Sequence, residues 1–200
     1  MPVIKYKKIL EQIMKKPVFT TTDLHNEKIP ENYSKKLLFM LAKSGRIKRI
    51  ERGKYTCLDD PVAVAAHMTE PCYLTLWTAM SIRKLTTQIP FAVEVATSRK
   101  RFKKKVTFQI TPIIFYTVNP KMMFGYEYII WKENIRVPVA KNEKIIIDAV
   151  YTGRIPEDEI LEIMKNIDPT LLKKYAELSE NKEIISKIKE LIKKCSQGKK

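Results

Sequence analysis

The segment Asn32–Tyr55, NYSKKLLFMLAKSGRIKRIERGKY, restricts the possible folds more than any other part of the chain. On a helical wheel, Tyr33, Leu37, Met40 and Leu41 fall within one arc of about a quarter-turn, with Leu38 at its edge. Asn32, Lys35, Lys36, Phe39 and Lys43 take the opposite face. Gly45 supplies a helix stop, because glycine enters the left-handed conformation without a Cβ clash. Arg46, Lys48, Arg49, Arg52 and Lys54 then follow within a short hairpin bent around Gly53. One face of such a unit can bury and the other can meet phosphate, which is the pattern of a recognition helix followed by a wing.

The flanking sequence extends this reading. A helix is expected over residues 5–15, with Ile9, Leu10, Ile13 and Met14 inward and Pro17 as its stop. A threonine of the Thr20–Thr22 run caps a short second helix. Strands are expected at 47–50 and 55–57; Ile47 and Ile50 are out of step for a period of two, so either a bulge intervenes or only one of them is buried. Residues 1–60 therefore read as a winged helix-turn-helix DNA-binding domain, closed off by Asp59-Asp60-Pro61. Helices follow at about 62–68 and 76–85. Five β-rich runs come next, at 92–97, 106–110, 113–118, 126–131 and 135–139, then a helix at 142–151. From about residue 155 the chain reads as a helical tail, over 157–166, 169–178 and 182–194. The expected class is α+β: the winged helix-turn-helix, then a mixed α/β domain over 61–200 with a five-stranded β-rich centre and C-terminal helices.

Charge says where a partner would bind. The net charge is +16 and points to a polyanion. Residues 1–60 hold 14 Lys/Arg against 7 Asp/Glu, residues 61–154 hold 14 against 6, and residues 155–200 hold 10 against 9. The excess thus belongs to the first three quarters of the chain. Its densest run is Arg99, Lys100, Arg101, Lys103, Lys104 and Lys105 around Phe102, between two expected strands. Such mutual repulsion is relieved when a polyanion neutralises it. The candidate DNA-binding residues are accordingly Asn32, Tyr33, Lys35 and Lys36 at bases and nearby phosphates, and the wing and loop cations on the backbone. Phe39, mid-way along the basic face, is expected to pack against the second domain rather than touch a thymine methyl. A winged helix serving only as a protein-docking module is the competing reading.

Other chemistry finds little support. His25 and His67 are isolated, and no Cys-x-x-Cys occurs. Five glycines are too few and too scattered for a phosphate-cradling loop. No carboxylate cluster suits a nuclease or nucleotidyltransferase; Asp148 stands alone in its helix with Lys144 as its i−4 partner. No cofactor, metal site or enzymatic activity is expected. Cys57, Cys72 and Cys195 read as free thiols of a reducing compartment, and no apolar run approaches the roughly 18 residues of a membrane span, so a cytoplasmic protein is expected. The amphipathic C-terminal helices are expected to cover the sheet or to dock a partner.

The order of short motifs adds a resemblance. Arg52-Gly53-Lys54-Tyr55 is followed by Asp60-Pro61-Val62-Ala63-Val64-Ala65, then Glu70-Pro71-Cys72-Tyr73-Leu74-Thr75-Leu76 with Thr78-Ala79-Met80. Val95-Ala96-Thr97-Ser98-Arg99-Lys100-Arg101 comes next, and Val139-Ala140 leads through Glu143-Lys144 to Asp148. In that order, over roughly residues 5–155, the chain resembles the AbiEi-type antitoxin and transcriptional-regulator family of type IV toxin–antitoxin (abortive infection) systems. The resemblance implies a winged helix that binds inverted repeats in its own promoter, as monomer or dimer, and represses it. It also implies a second domain that counters a nucleotidyltransferase-type toxin, and a basic face spanning both domains, here the wing cations and residues 99–105.

Overall fold

The computed structural model describes residues 6–165 and 167–197. The starts and ends of the expected helices at residues 5 and 166 lie outside the described residues. The N-terminal unit comprises α1 (Lys7–Ile13), β1 (Phe19–Thr20), α2 (Thr21–Asn26), α3 (Glu31–Lys43), β2 (Lys48–Glu51) and β3 (Lys54–Thr56). The three strands form one antiparallel sheet in the order β1-β3-β2. Thr20 caps α2 through a reciprocal box: its hydroxyl accepts from the Asp23 N–H at 3.3 Å, and the Asp23 carboxylate accepts from the Thr20 N–H at 2.7 Å. Gly45 (φ +74°) ends α3, and the Arg46 N–H closes on the Leu41 carbonyl at 3.0 Å. Gly53 (φ +78°) makes the hairpin turn.

Leu10, Ile13, Phe19, Leu24, Ile29, Leu37, Leu38, Leu41, Ile47 and Tyr55 form the core of this unit. The buried stripe of α3 is Ser34, Leu37, Leu38 and Leu41, so it is rotated from the expected arc. Met40 is 37% exposed, and Tyr33 sits at the stripe's edge, packed against Tyr6 with ring centroids 5.6 Å apart. Small, hydroxylic Ser34 occupies the close-packed line because its Oγ donates to the Ile29 carbonyl at 3.3 Å.

The rest of the chain builds on α4 (Pro61–Ala65), β4 (Cys72–Leu74), α5 (Leu76–Ile82), β5 (Val93–Thr97), β6 (Lys105–Phe108), β7 (Thr111–Thr117), β8 (Tyr126–Ile130), β9 (Arg136–Ala140), α6 (Asn142–Thr152), α7 (Glu157–Met164), α8 (Pro169–Leu178) and α9 (Lys182–Gln197). The sheet has six strands in the order β6-β7-β5-β4-β9-β8, not five. The extra strand is β4, near the sheet's middle, antiparallel to β5 and parallel to β9. Cys72, Tyr73 and Leu74 are all buried. Three residues covered on both faces show no alternation, so periodicity cannot reveal them. The remaining pairs are β5/β7 parallel and β6/β7 and β8/β9 antiparallel. Helix α5 lies on β5, α6 lies on β9, and α7, α8 and α9 pack onto α6 and one another. The C-terminal helices therefore extend the core as an outer helical layer over α6, through Ile160, Ile163, Leu172, Ile184, Ile188 and Leu191.

Strand β2 joins the two cores. Its register shifts between Arg49 and Glu51, leaving Ile50 as the extra residue of a bulge. Both isoleucines are buried, but Ile47 belongs to the N-terminal core and Ile50 to the larger one. The bulge turns one side chain across to the second unit, which resolves the mismatch in period.

Candidate nucleic-acid interface

The α3 residues Asn32, Lys35 and Lys36 are exposed. Lys35 pairs with Glu31 at 2.6 Å on the same helix face, a solvated pair that a phosphate can replace at little cost. Tyr33 departs from its expected place. Its ring turns toward Tyr6, and its hydroxyl is buried without a hydrogen-bond partner among the described residues. Phe39 is 62% exposed, so it does not pack against the second unit as expected.

The wing cations fall into three groups. Arg49 and Arg52 are exposed, the former with its Nε 3.4 Å from the Glu51 carbonyl. Arg46 lies apart from the hairpin tip and lines a cleft with Lys7, Glu11, Lys15 and Cys57. Lys48 and Lys54 are engaged: Lys48 pairs with Asp59 at 2.7 Å, and Lys54 pairs with Glu51 at 2.9 Å while donating to the Met68 carbonyl.

The basic run 99–105 leads from β5 into β6 and comes to rest beside the wing. Arg99, Lys100, Lys103, Lys104 and Lys105 are exposed, and Phe102 is fully so. Arg101 differs from its neighbours. Its side chain is only 9% exposed, its guanidinium lies 4.0 Å from the Phe115 ring centroid, and its Nη2 donates to both Glu51 carboxylate oxygens at 3.0 and 2.9 Å. It is thus an internal tie between loop, sheet and wing rather than a free phosphate ligand. Burial pushes the Glu51 carboxyl up, but Lys54 and Arg101 outweigh it and hold the group below the ordinary carboxylate range.

Between wing and loop lies a cleft of about 600 Å3, lined by Arg52, Lys54, Arg99, Lys100, Arg101 and Lys103 together with Glu51, Thr69 and Phe102. The fold has brought cations from two distant segments to one concave surface. Glu51 is the residue that sequence reasoning overlooked; its signal was that of a lone carboxylate amid the wing cations.

A second polar cluster sits in the large core. The Lys144 ammonium and Asp148 carboxylate meet at 2.6 Å with 0% and 1% exposure. Tyr73 and Thr75 hydroxyls donate to the same carboxylate at 3.2 and 2.7 Å, and the ammonium lies over the Phe124 ring at 4.7 Å. The i−4 pairing was legible; its burial was not. His67 packs with its Nδ1 2.8 Å from the Ala63 carbonyl, so that nitrogen carries the proton and donates. The three cysteines are free, and burial pushes the Cys72 thiol up to about 12. Among the described residues no group of three or more His, Cys, Asp or Glu is placed to hold a metal ion, and no helix is long and apolar enough to cross a membrane.

The crystal structure of the RV2827C protein from Mycobacterium tuberculosis superposes with a TM-score of 0.49 at 9% identity, covering 94% of this chain and 80% of that one. No curated protein sequence matches the chain. A family model described as "Transcriptional regulator, AbiEi antitoxin" matches residues 8–56, which run from α1 through the end of β3. Over residues 8–56 the N-terminal unit is thus similar to the transcriptional-regulator domain of AbiEi-type antitoxins.

Proposed function

We propose that the protein is a sequence-specific regulator that binds double-stranded DNA at inverted repeats in its own promoter and represses it, as the antitoxin of a toxin–antitoxin pair. The observation that carries this reading is the wing–loop cleft, where Arg52, Arg99, Lys100 and Lys103 surround one concavity without an ion pair among the described residues. Asn32 and Lys36 on α3 are free to meet base edges, while the wing and loop neutralise phosphate. Occupancy of the promoter is the mechanism, and no catalytic step is required. A gel-shift titration of the duplex upstream of the protein's own reading frame tests it. Binding that persists unchanged in an Arg49→Glu/Arg52→Glu variant with native circular dichroism would refute the wing assignment.

The second reading, a protein-interaction module with incidental DNA binding, has one observation in its favour. In the loop before β5, Ile89 and Phe91 are 95% and 82% exposed, the kind of apolar pair that a partner covers. In the antitoxin reading the partner is a nucleotidyltransferase-type toxin. Retained protection against that toxin in an Ile89→Asp/Phe91→Asp variant would rule this loop out as the docking point. Deleting the tail after Arg154 does not separate the two activities, because α7–α9 contribute to the large core.

A further inference from the structure

Glu51 stands where an acidic residue is least expected. Among the described residues lining the wing–loop cleft it is the sole carboxylate, facing the surface assigned to a polyanion. Taken alone, a carboxylate there opposes binding, and its removal strengthens the attraction for phosphate. Its surroundings argue for the opposite. The β2 bulge that sends Ile50 into the large core also sets Glu51 opposite Lys54. From there it accepts two hydrogen bonds from Arg101 and one from Lys54, which is itself anchored on the Met68 carbonyl. Arg101 is at the centre of the basic run. Its ring contact with Phe115 holds it on the sheet, and its Nε lies 3.4 Å from the Lys103 carbonyl. With Arg101 drawn inward, its neighbours Lys100 and Phe102 project outward.

We propose that Glu51 is a positioning residue for DNA binding: it latches the basic loop to the wing, so that Arg52, Arg99, Lys100 and Lys103 present one preformed phosphate-binding surface. The inference rests on the DNA-binding reading above. A planar guanidinium held by both oxygens of a carboxylate has a fixed orientation, which an ammonium or an amide partner does not reproduce. Without the latch, six cations within seven residues repel one another and the loop leaves the wing. The ordering cost of recovering it then falls on binding.

The test is a salt titration of affinity for the duplex upstream of the protein's own reading frame, comparing the wild-type chain with Glu51→Gln, Glu51→Asp and Arg101→Lys. Glu51→Gln makes the protein more positive, yet it is expected to bind on the order of tenfold more weakly and with a shallower salt slope. Arg101→Lys keeps the charge and is expected to weaken binding similarly, while Glu51→Asp falls between. Coupling supplies a readout that a merely structural role would not move: Lys100→Gln/Lys103→Gln costs affinity in the wild-type background and little in Glu51→Gln. Equal or tighter binding by Glu51→Gln overturns the inference. If that variant does not fold, wild-type affinity and slope in Arg101→Lys overturn it instead. A wild-type chain with no affinity for the duplex defeats the DNA-binding reading itself, and the latch with it.

Discussion

The molecule holds two carboxylate–cation clusters of similar composition and opposite setting. At Asp148 the carboxylate, Lys144, Tyr73 and Thr75 are all buried, and the three donors converge on the one carboxylate. At Glu51 the carboxylate ties Lys54 and Arg101 at the edge of an open cleft, and the cleft's other cations, Arg52, Arg99, Lys100 and Lys103, have no ion pair among the described residues. The first is closed off from solvent. The second spends its own charge on two cations and leaves the others to solvent. Residue type therefore does not separate a structural ion cluster from one that organises a binding surface; what remains unsatisfied around it does.

The largest difference between the two clusters is expected from Asp148→Ala. It strands the buried Lys144 ammonium and is expected to cost about 3–5 kcal/mol of stability, read by urea denaturation. Where the variant remains folded, its DNA affinity should equal that of the wild type. Arg49→Glu/Arg52→Glu is expected to do the reverse: stability within about 0.5 kcal/mol of wild type, and duplex binding weakened beyond the reach of a gel-shift titration. Replacing Lys103, Lys104 and Lys105 by Gln should flatten the salt dependence by about 0.9 for each phosphate no longer neutralised, measured as log K against log salt.

pH separates the clusters next. The folded Glu51 carboxyl lies below its unfolded value, so its contribution is present above the ordinary carboxylate range and lost as pH falls through the lowered value. Burial first, and then the Asp148 carboxylate, push the Tyr73 phenol well above its usual value, so its contribution is present at neutral pH and lost as pH rises past the ordinary tyrosine range. Acid should thus weaken the wing–loop tie, and Glu51→Gln should remove that part of the acid limb of stability. Alkali should weaken the core, and Tyr73→Phe should remove that part of the alkaline limb. The smallest effect is expected at Phe39→Ala, within about 0.5 kcal/mol in thermal unfolding, since its ring is 62% exposed.

Much of the N-terminal unit was legible because its signals are local. Thr20 with Asp23, Gly45 and Gly53 mark their own element boundaries through hydrogen bonds and backbone sterics that need no distant partner. The α3 stripe was legible to within a rotation; Ser34 took the place expected of Tyr33 and Met40, because close packing admitted a small hydroxyl bonded to Ile29. Strand β4 and the burial of Lys144 escaped because both depend on what covers them from elsewhere in the chain. The basic residues of the candidate site were legible as a set, but their division was not. Nothing local distinguishes Arg101 from Arg99, or Lys54 from Arg52.

Local sequence alone sets a basic helix and hairpin at the N-terminus, a β-rich centre and helices after it, and a concentration of positive charge in the first three quarters of the chain. Capping, glycine stops, periodicity and composition all act over a few residues, so they can be read in order along the chain. Which cations face outward is settled by long-range contacts. That choice rests on the β2 bulge carrying Ile50 into the second core and Glu51 onto Arg101, two residues 50 positions apart. Long-range packing selects among residues that local chemistry leaves equivalent.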